Sequence, residues 1–150
     1  MHQLTISAVT AADLDDLRPL LRGYCDFYRV DPTDEALRTL SLALLDDPDE
    51  GVQLIARDGA ETPVGFATIY WTWQTLHAGR VGVLNDLYVV PGTRGGGIGR
   101  ALIERCLQLC RDRGVPKLVW ETAPDNVAAQ RLYDSLGAEK SSWLSYELDA

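Results

Sequence analysis

Residues 89–107 read VVPGTRGGGIGRALIERCL. An apolar strand end, Val89 to Pro91, runs into three consecutive glycines, Gly95, Gly96 and Gly97, and then into good helix formers from Ala101 onward. A helix N-terminus presents N–H groups that have no intrahelical acceptor, together with the positive end of the macrodipole. Glycine there removes the Cβ that would hold an anion away from the main chain. The stretch predicts, in order, a strand, a loop built to hold an anion, and a helix.

Spacing separates this loop from two better-known ones. A P-loop needs Gly-Lys followed by Ser or Thr, whereas Gly99 is followed by Arg100 and Ala101. A dinucleotide fingerprint needs G-x-G-x-x-G after the first strand of a parallel sheet. Here Gly95, Gly97 and Gly99 are spaced by two, and the preceding strand belongs to a hairpin.

Outward from the loop, the chain alternates strands and helices without a linker. QLTISAVT, GVQLIARD, PVGFATIYWTW and VGVLNDLYVVP read as strands, the last three as an antiparallel meander turned at GAET and LHAGR. One helix is expected from Thr10 or Asp13 to about Tyr28, and a second after Thr33, an N-cap with Asp34 and Glu35 in the first turn. The helix from Gly97 to about Asp112 leads to a short buried strand, PKLVWET. NVAAQRLYDSL is a last helix closed by Gly137, and KSSWLSYEL alternates as a final strand. The expected fold is α/β, one domain over residues 1–150, with a mixed, mostly antiparallel sheet of six to seven strands and about four helices.

Composition narrows the partners. With 22 acidic and 14 basic residues the net charge is -8, a mean field that repels nucleic acid and favours a cationic small molecule or basic peptide. No run of about 18 apolar residues and no signal peptide is legible, so no membrane role is expected. The odd cysteine count, Cys25, Cys106 and Cys110, points to a reducing, cytoplasmic location. Cys106 and Cys110 lack a His or Cys set for a metal and read as small core residues. Ser or Cys triad chemistry is disfavoured, because the chain has only His2 and His77 and no G-x-S-x-G elbow.

VVPGTRGGGIG resembles the R-G-x-G-x-G signature of the GNAT superfamily of acetyl-CoA-dependent N-acetyltransferases, nearest to its diamine and Hpa-type branch. LNDLYVVP is similar to that family's fourth strand, and NVAAQRLYDSLGA to its later motif through Asn126, Ala129, Leu132, Tyr133, Gly137 and Ala138. The resemblance implies acetyl-CoA as co-substrate. The backbone amides of Arg94, Gly95, Gly96, Gly97, Ile98, Gly99 and Arg100 would hold the CoA pyrophosphate. The main chain of Leu87, Tyr88 and Val89 would pair with pantetheine like an added strand. Asn126 would position the pantetheine arm, cap the last helix, or do both.

Tyr133 is the expected proton donor to the departing CoA thiolate, against the plainer reading of a core aromatic. An attacking alkyl ammonium, of pKa about 10.4, must first lose a proton. Relatives place a glutamate where this chain has Asn85, so a water relay to Asp86 is expected, with Asn85 orienting water or substrate. Asn85 and Asp86 point to opposite faces unless a bulge intervenes. Aromatic walls with carboxylates suit an ammonium. Tyr24, Asp26 and Tyr28, Trp71 and Trp73, and Glu121 are the candidate acceptor residues, each with a plain core or surface alternative. No metal site is expected. The resemblance allows a homodimer through the late strands, SSWLSYEL offering an edge. The rival function is a catalytically silent acyl-CoA sensor.

Overall fold

A computed structural model describes residues 3–150; His2 lies outside the described residues. The chain forms two compact units, ending and beginning at Trp120 and Glu121.

The first unit holds β1 (Thr5–Ala8), α1 (Leu14–Phe27), α2 (Asp34–Asp46), β2 (Gly51–Arg57), β3 (Pro63–Gln74), β4 (Gly79–Val89), α3 (Ile98–Asp112) and β5 (Leu118–Val119). The strands lie side by side in sequence order. β1 to β4 pair antiparallel, and β4 with β5 parallel over only Gly82↔Leu118 and Val83↔Val119.

Alternation along β3 sorts the two faces of the sheet. Phe66 joins Leu14, Leu17, Leu20 and Leu21 of α1 in one apolar cluster, so Phe66, Thr68 and Tyr70 face that helix. A Cβ on Gly65 would meet Leu102 and Ile98, so the odd residues, through Trp71, face α3. Leu17 is fully buried, and its truncation to alanine removes a contact set worth about 2–5 kcal/mol. Cys106 and Cys110 are buried on the core side of α3, as the spacing anticipates. Thr33 caps α2, accepting from the Ala36 N–H at 3.0 Å.

The second unit contains α4 (Val127–Ser135), after which Gly137 takes φ +79° and turns the chain out of the helix. The expected last strand is absent: residues 139–150 carry no ladder, and the described sheet has five strands rather than six or seven. Trp143 and Tyr146 are each 90% exposed. Alternation supplies the side-chain pattern of a strand, but a strand exists only by pairing, and within residues 121–150 the sole regular element is a helix.

Candidate active site

β4 brings two chemically different regions to one strand. At its end, Thr93 Oγ1 donates to the Val90 carbonyl at 2.7 Å and Arg94 Nε to the Val89 carbonyl at 3.0 Å, closing the chain into a tight loop. Gly95 and Gly97 sit at φ +87° and +82°, conformations that L side chains resist. A Cβ at either would meet nothing within 4 Å, so backbone conformation demands glycine there and the space beside the loop is open. The first helical bond of α3 is Ala101 N–H to the Gly97 carbonyl, which leaves the amides of Ile98, Gly99 and Arg100 at the head of a 15-residue helix. Exposed Gly96 lies between, and the Arg94 and Arg100 side chains are also exposed. This is a fit for a pyrophosphate, made almost wholly from main chain.

Back along β4, the edge that faces β5 is paired only as far as Val83. Val90 N–H donates across to the Val64 carbonyl on the β3 side. By alternation Leu87 and Val89 turn their amides to the unpaired edge, while Tyr88 turns its backbone to β3 and its ring to Phe66, 6.1 Å away. Of the three residues expected to receive an added strand, two therefore present main-chain groups to the open side.

The bulge that the sequence left open is present. Ile69 pairs with Leu84 and Thr68 with Asp86, so Asn85 is the extra residue. Asn85 is exposed, and its Nδ2 donates to Asp86 Oδ1 at 2.9 Å. Asp86, only 8% exposed, faces α1 beside Thr68, which accepts from Gln53 Nε2 at 3.3 Å. The Tyr24 hydroxyl donates to the Asn85 carbonyl at 3.3 Å and lies within hydrogen-bonding reach of the Asp86 carboxylate. Burial, and then the Asp86 charge, push the Tyr24 phenol well above its usual range, and the same two causes raise Tyr70. Tyr70 is a residue that sequence reading missed. It opens the tetrapeptide YWTW but lies on the opposite face from both tryptophans, a distinction that appears only once β3 is assigned a core side.

The remaining candidates scatter. Tyr28 stacks on Tyr24 at 4.9 Å and is half exposed, and Asp26 is exposed. Trp71, 4% exposed, is buried toward α3 with the Arg113 guanidinium 4.8 Å from its ring, and exposed Trp73 carries Arg80 at 4.9 Å. The tryptophans are not brought to the Asp86 face. In the second unit, Asn126 Oδ1 accepts from Ala129 N–H at 3.2 Å as the cap of α4. Tyr133 is half-buried on that helix, and exposed Glu121 accepts from Ser145 Oγ at 3.5 Å. His77 lies exposed at the β3–β4 hairpin tip. All three cysteines are buried with thiols raised by burial, Cys106 up to about 12, which disfavours a thiolate nucleophile. Among the described residues no cluster of His, Cys, Asp or Glu is arranged for a metal, and no helix is long and apolar enough to cross a membrane.

A mixed sheet whose fourth strand ends in a glycine loop at a helix head is the frame of an acyl-CoA-using transferase. Comparison with known proteins identifies it further: residues 15–138 match the acetyltransferase (GNAT) family, and the chain belongs to that family. It is an acyltransferase with acetyl-CoA as co-substrate. It is 30% identical over 139 residues to the Uncharacterized N-acetyltransferase YhfO of Bacillus subtilis (strain 168), spanning 93% of this chain and 92% of that one. It is 26% identical over 168 residues to the mouse (Mus musculus) thialysine N-epsilon-acetyltransferase, spanning 99% and 94%. Among solved structures, that of a probable acetyltransferase superposes with TM-score 0.85 at 28% identity, covering 97% of each chain.

Proposed function

We propose that residues 1–150 act as one domain that transfers an acetyl group from acetyl-CoA to a primary amine of a small molecule or peptide, by direct attack in a ternary complex. The observation that carries this reading is the Arg94–Arg100 loop, open above its glycines and headed by free-standing helix amides, beside an unpaired β4 edge. The pyrophosphate rests on those amides, and pantetheine adds along Leu87 and Val89. Tyr133 protonates the leaving thiolate, as the family motif around it suggests. Asp86 takes up the proton of the attacking amine through water, with Asn85 holding the carboxylate. The thialysine enzymes, named for an ε-nitrogen, support an amine at the end of a side chain as acceptor.

Three free cysteines are in keeping with a reducing, cytoplasmic setting. The exposed Trp143–Leu148 segment supports pairing of two copies, which light scattering tests by mass.

Thiol release from acetyl-CoA over a panel of alkylamines, amino acids, aminoglycosides and basic peptides tests the function. Release is expected with one amine class and is expected to fall about 10²-fold or more in Tyr133→Phe with CoA affinity unchanged. CoA binding without release for any amine would leave a silent acyl-CoA sensor.

A further inference from the structure

Asp86 is a buried carboxylate whose described neighbours supply no positive charge. Its surroundings are the Asn85 amide and Tyr24 hydroxyl, the Tyr70 phenol and Cys25 thiol within electrostatic range, and Thr68 as its cross-strand neighbour. None of the ion pairs among the described residues includes it. The nearest cation on α1, Arg22, is tied to Asp31 at 2.9 Å and Asp34 at 2.6 Å. Buried charges in proteins are ordinarily paired, because a lone carboxylate loses far more hydration than neutral donors return. Phenol rings on either side, from α1 and β3, are the environment in which an ammonium ion is held by carboxylate and π-face together.

We infer that the Asp86 carboxylate, walled by Tyr24 and Tyr70, is a recognition site for the alkylammonium form of the acceptor, and that Tyr70 is a specificity-determining residue. This deepens the acetyl-transfer reading and rests on it for the identity of the ligand as acceptor. The acceptor enters as R–NH₃⁺ and completes the missing ion pair. It then gives one proton to Asp86, directly or through one water. The free amine attacks the thioester carbon, forming the C–N bond as the C–S bond breaks, and the second nitrogen proton ends on the thiolate sulfur. The proton held by Asp86 leaves to solvent, so the sum is R–NH₃⁺ plus acetyl-CoA to amide, CoA thiol and H⁺. Aliphatic amines, charged at neutral pH, are therefore selected over arylamines and alcohols of the same shape.

Isothermal titration of the full chain with n-butylammonium chloride and with n-butanol, in the presence of CoA, tests this without requiring turnover. Butylammonium is expected to bind at least about tenfold more tightly than butanol, and that preference is expected to vanish in Asp86→Asn. Tyr70→Leu is expected to weaken butylammonium severalfold while leaving CoA affinity unchanged. Because Asp86→Asn removes an uncompensated buried charge and keeps its shape, its melting temperature without ligand is expected to equal or exceed that of the wild type. Butylammonium raises the melting temperature of the wild type alone. Equal affinity for amine and alcohol, or undiminished butylammonium binding in a folded Asp86→Asn, overturns the inference. Asp86-dependent ammonium binding with no thiol release from any amine would overturn the transfer reading and leave this site standing. Thiol release from arylamines and alkylamines alike, with Asp86→Asn binding unchanged, would do the reverse.

Discussion

At its Val89 end β4 delivers the chain into a loop whose polar groups are main-chain amides, whose glycines have nothing within 4 Å of an added Cβ, and whose flanking charges are positive. At Asn85 the same strand bulges into the α1 face, where side chains from β3, β4 and α1 crowd one carboxylate. The first region is made from backbone conformation within one stretch of sequence. The second is made from residues as far apart as Tyr24 and Asp86. Anion holding needs only local geometry, whereas placing a buried negative charge needs the whole packed face around it.

The largest test of this contrast is Gly97→Val. A β-branched residue at φ +82° strains the backbone, and its side chain occupies the space where the pyrophosphate would lie. CoA affinity by calorimetry is expected to fall about 100-fold, some 3 kcal/mol, for every acceptor alike. An unchanged affinity would break the assignment of the loop.

Tyr24→Phe addresses the other region. It removes the donor to the Asn85 carbonyl and to Asp86 while keeping the ring against Phe66, 5.8 Å away. The expected result is about a tenfold drop in kcat/KM for the amine with CoA binding untouched, the size of one hydrogen bond in a buried network. A matching loss of CoA affinity would mean that the two regions are coupled.

Acid should separate them as well. Asp13 has its carboxyl pKa lowered, chiefly by the Thr10 backbone N–H and also by Arg57, which anchors the start of α1 to β2. A depressed carboxylate contributes stability that is present above its unfolded-state pKa and lost as pH falls through the folded value, here below about pH 4. Amide exchange in α1, which carries Tyr24, is therefore expected to accelerate in that window before exchange in α3.

The smallest effect expected is that of Gly96→Ala. Its φ is not in the left-handed region, and the added Cβ would lie 3.4 Å from the Thr93 carbonyl, so CoA affinity is expected to change by less than about threefold. A loss equal to that of Gly97→Val would show that open space, and not backbone conformation, governs the loop.

Much of the frame was legible beforehand, for reasons that stay local. Thr33 capped its helix, Gly97 opened α3, and the strand-turn-strand run from Gly51 to Val89 paired as a meander. The final strand failed because KSSWLSYEL has the alternation without a partner to pair with. The aromatic pair Trp71 and Trp73 shares a face, as alternation requires, but that face turns toward α3 and away from Asp86. No periodicity in one strand can say which of its faces a distant helix will cover.

By itself, then, the sequence determined the order of elements, the place of the glycine loop and the family to which the chain belongs, because helix heads, turns and strand alternation depend on neighbours a few residues apart. Tertiary structure alone decided that Asn85 would be squeezed out as a bulge, that Asp86 would be buried without a cation from the described residues, and that Tyr24 and Tyr70 would flank it. Those outcomes depend on which strand edge pairs with which and on the helix laid across the sheet, and on the balance between charge burial and apolar packing over the whole face.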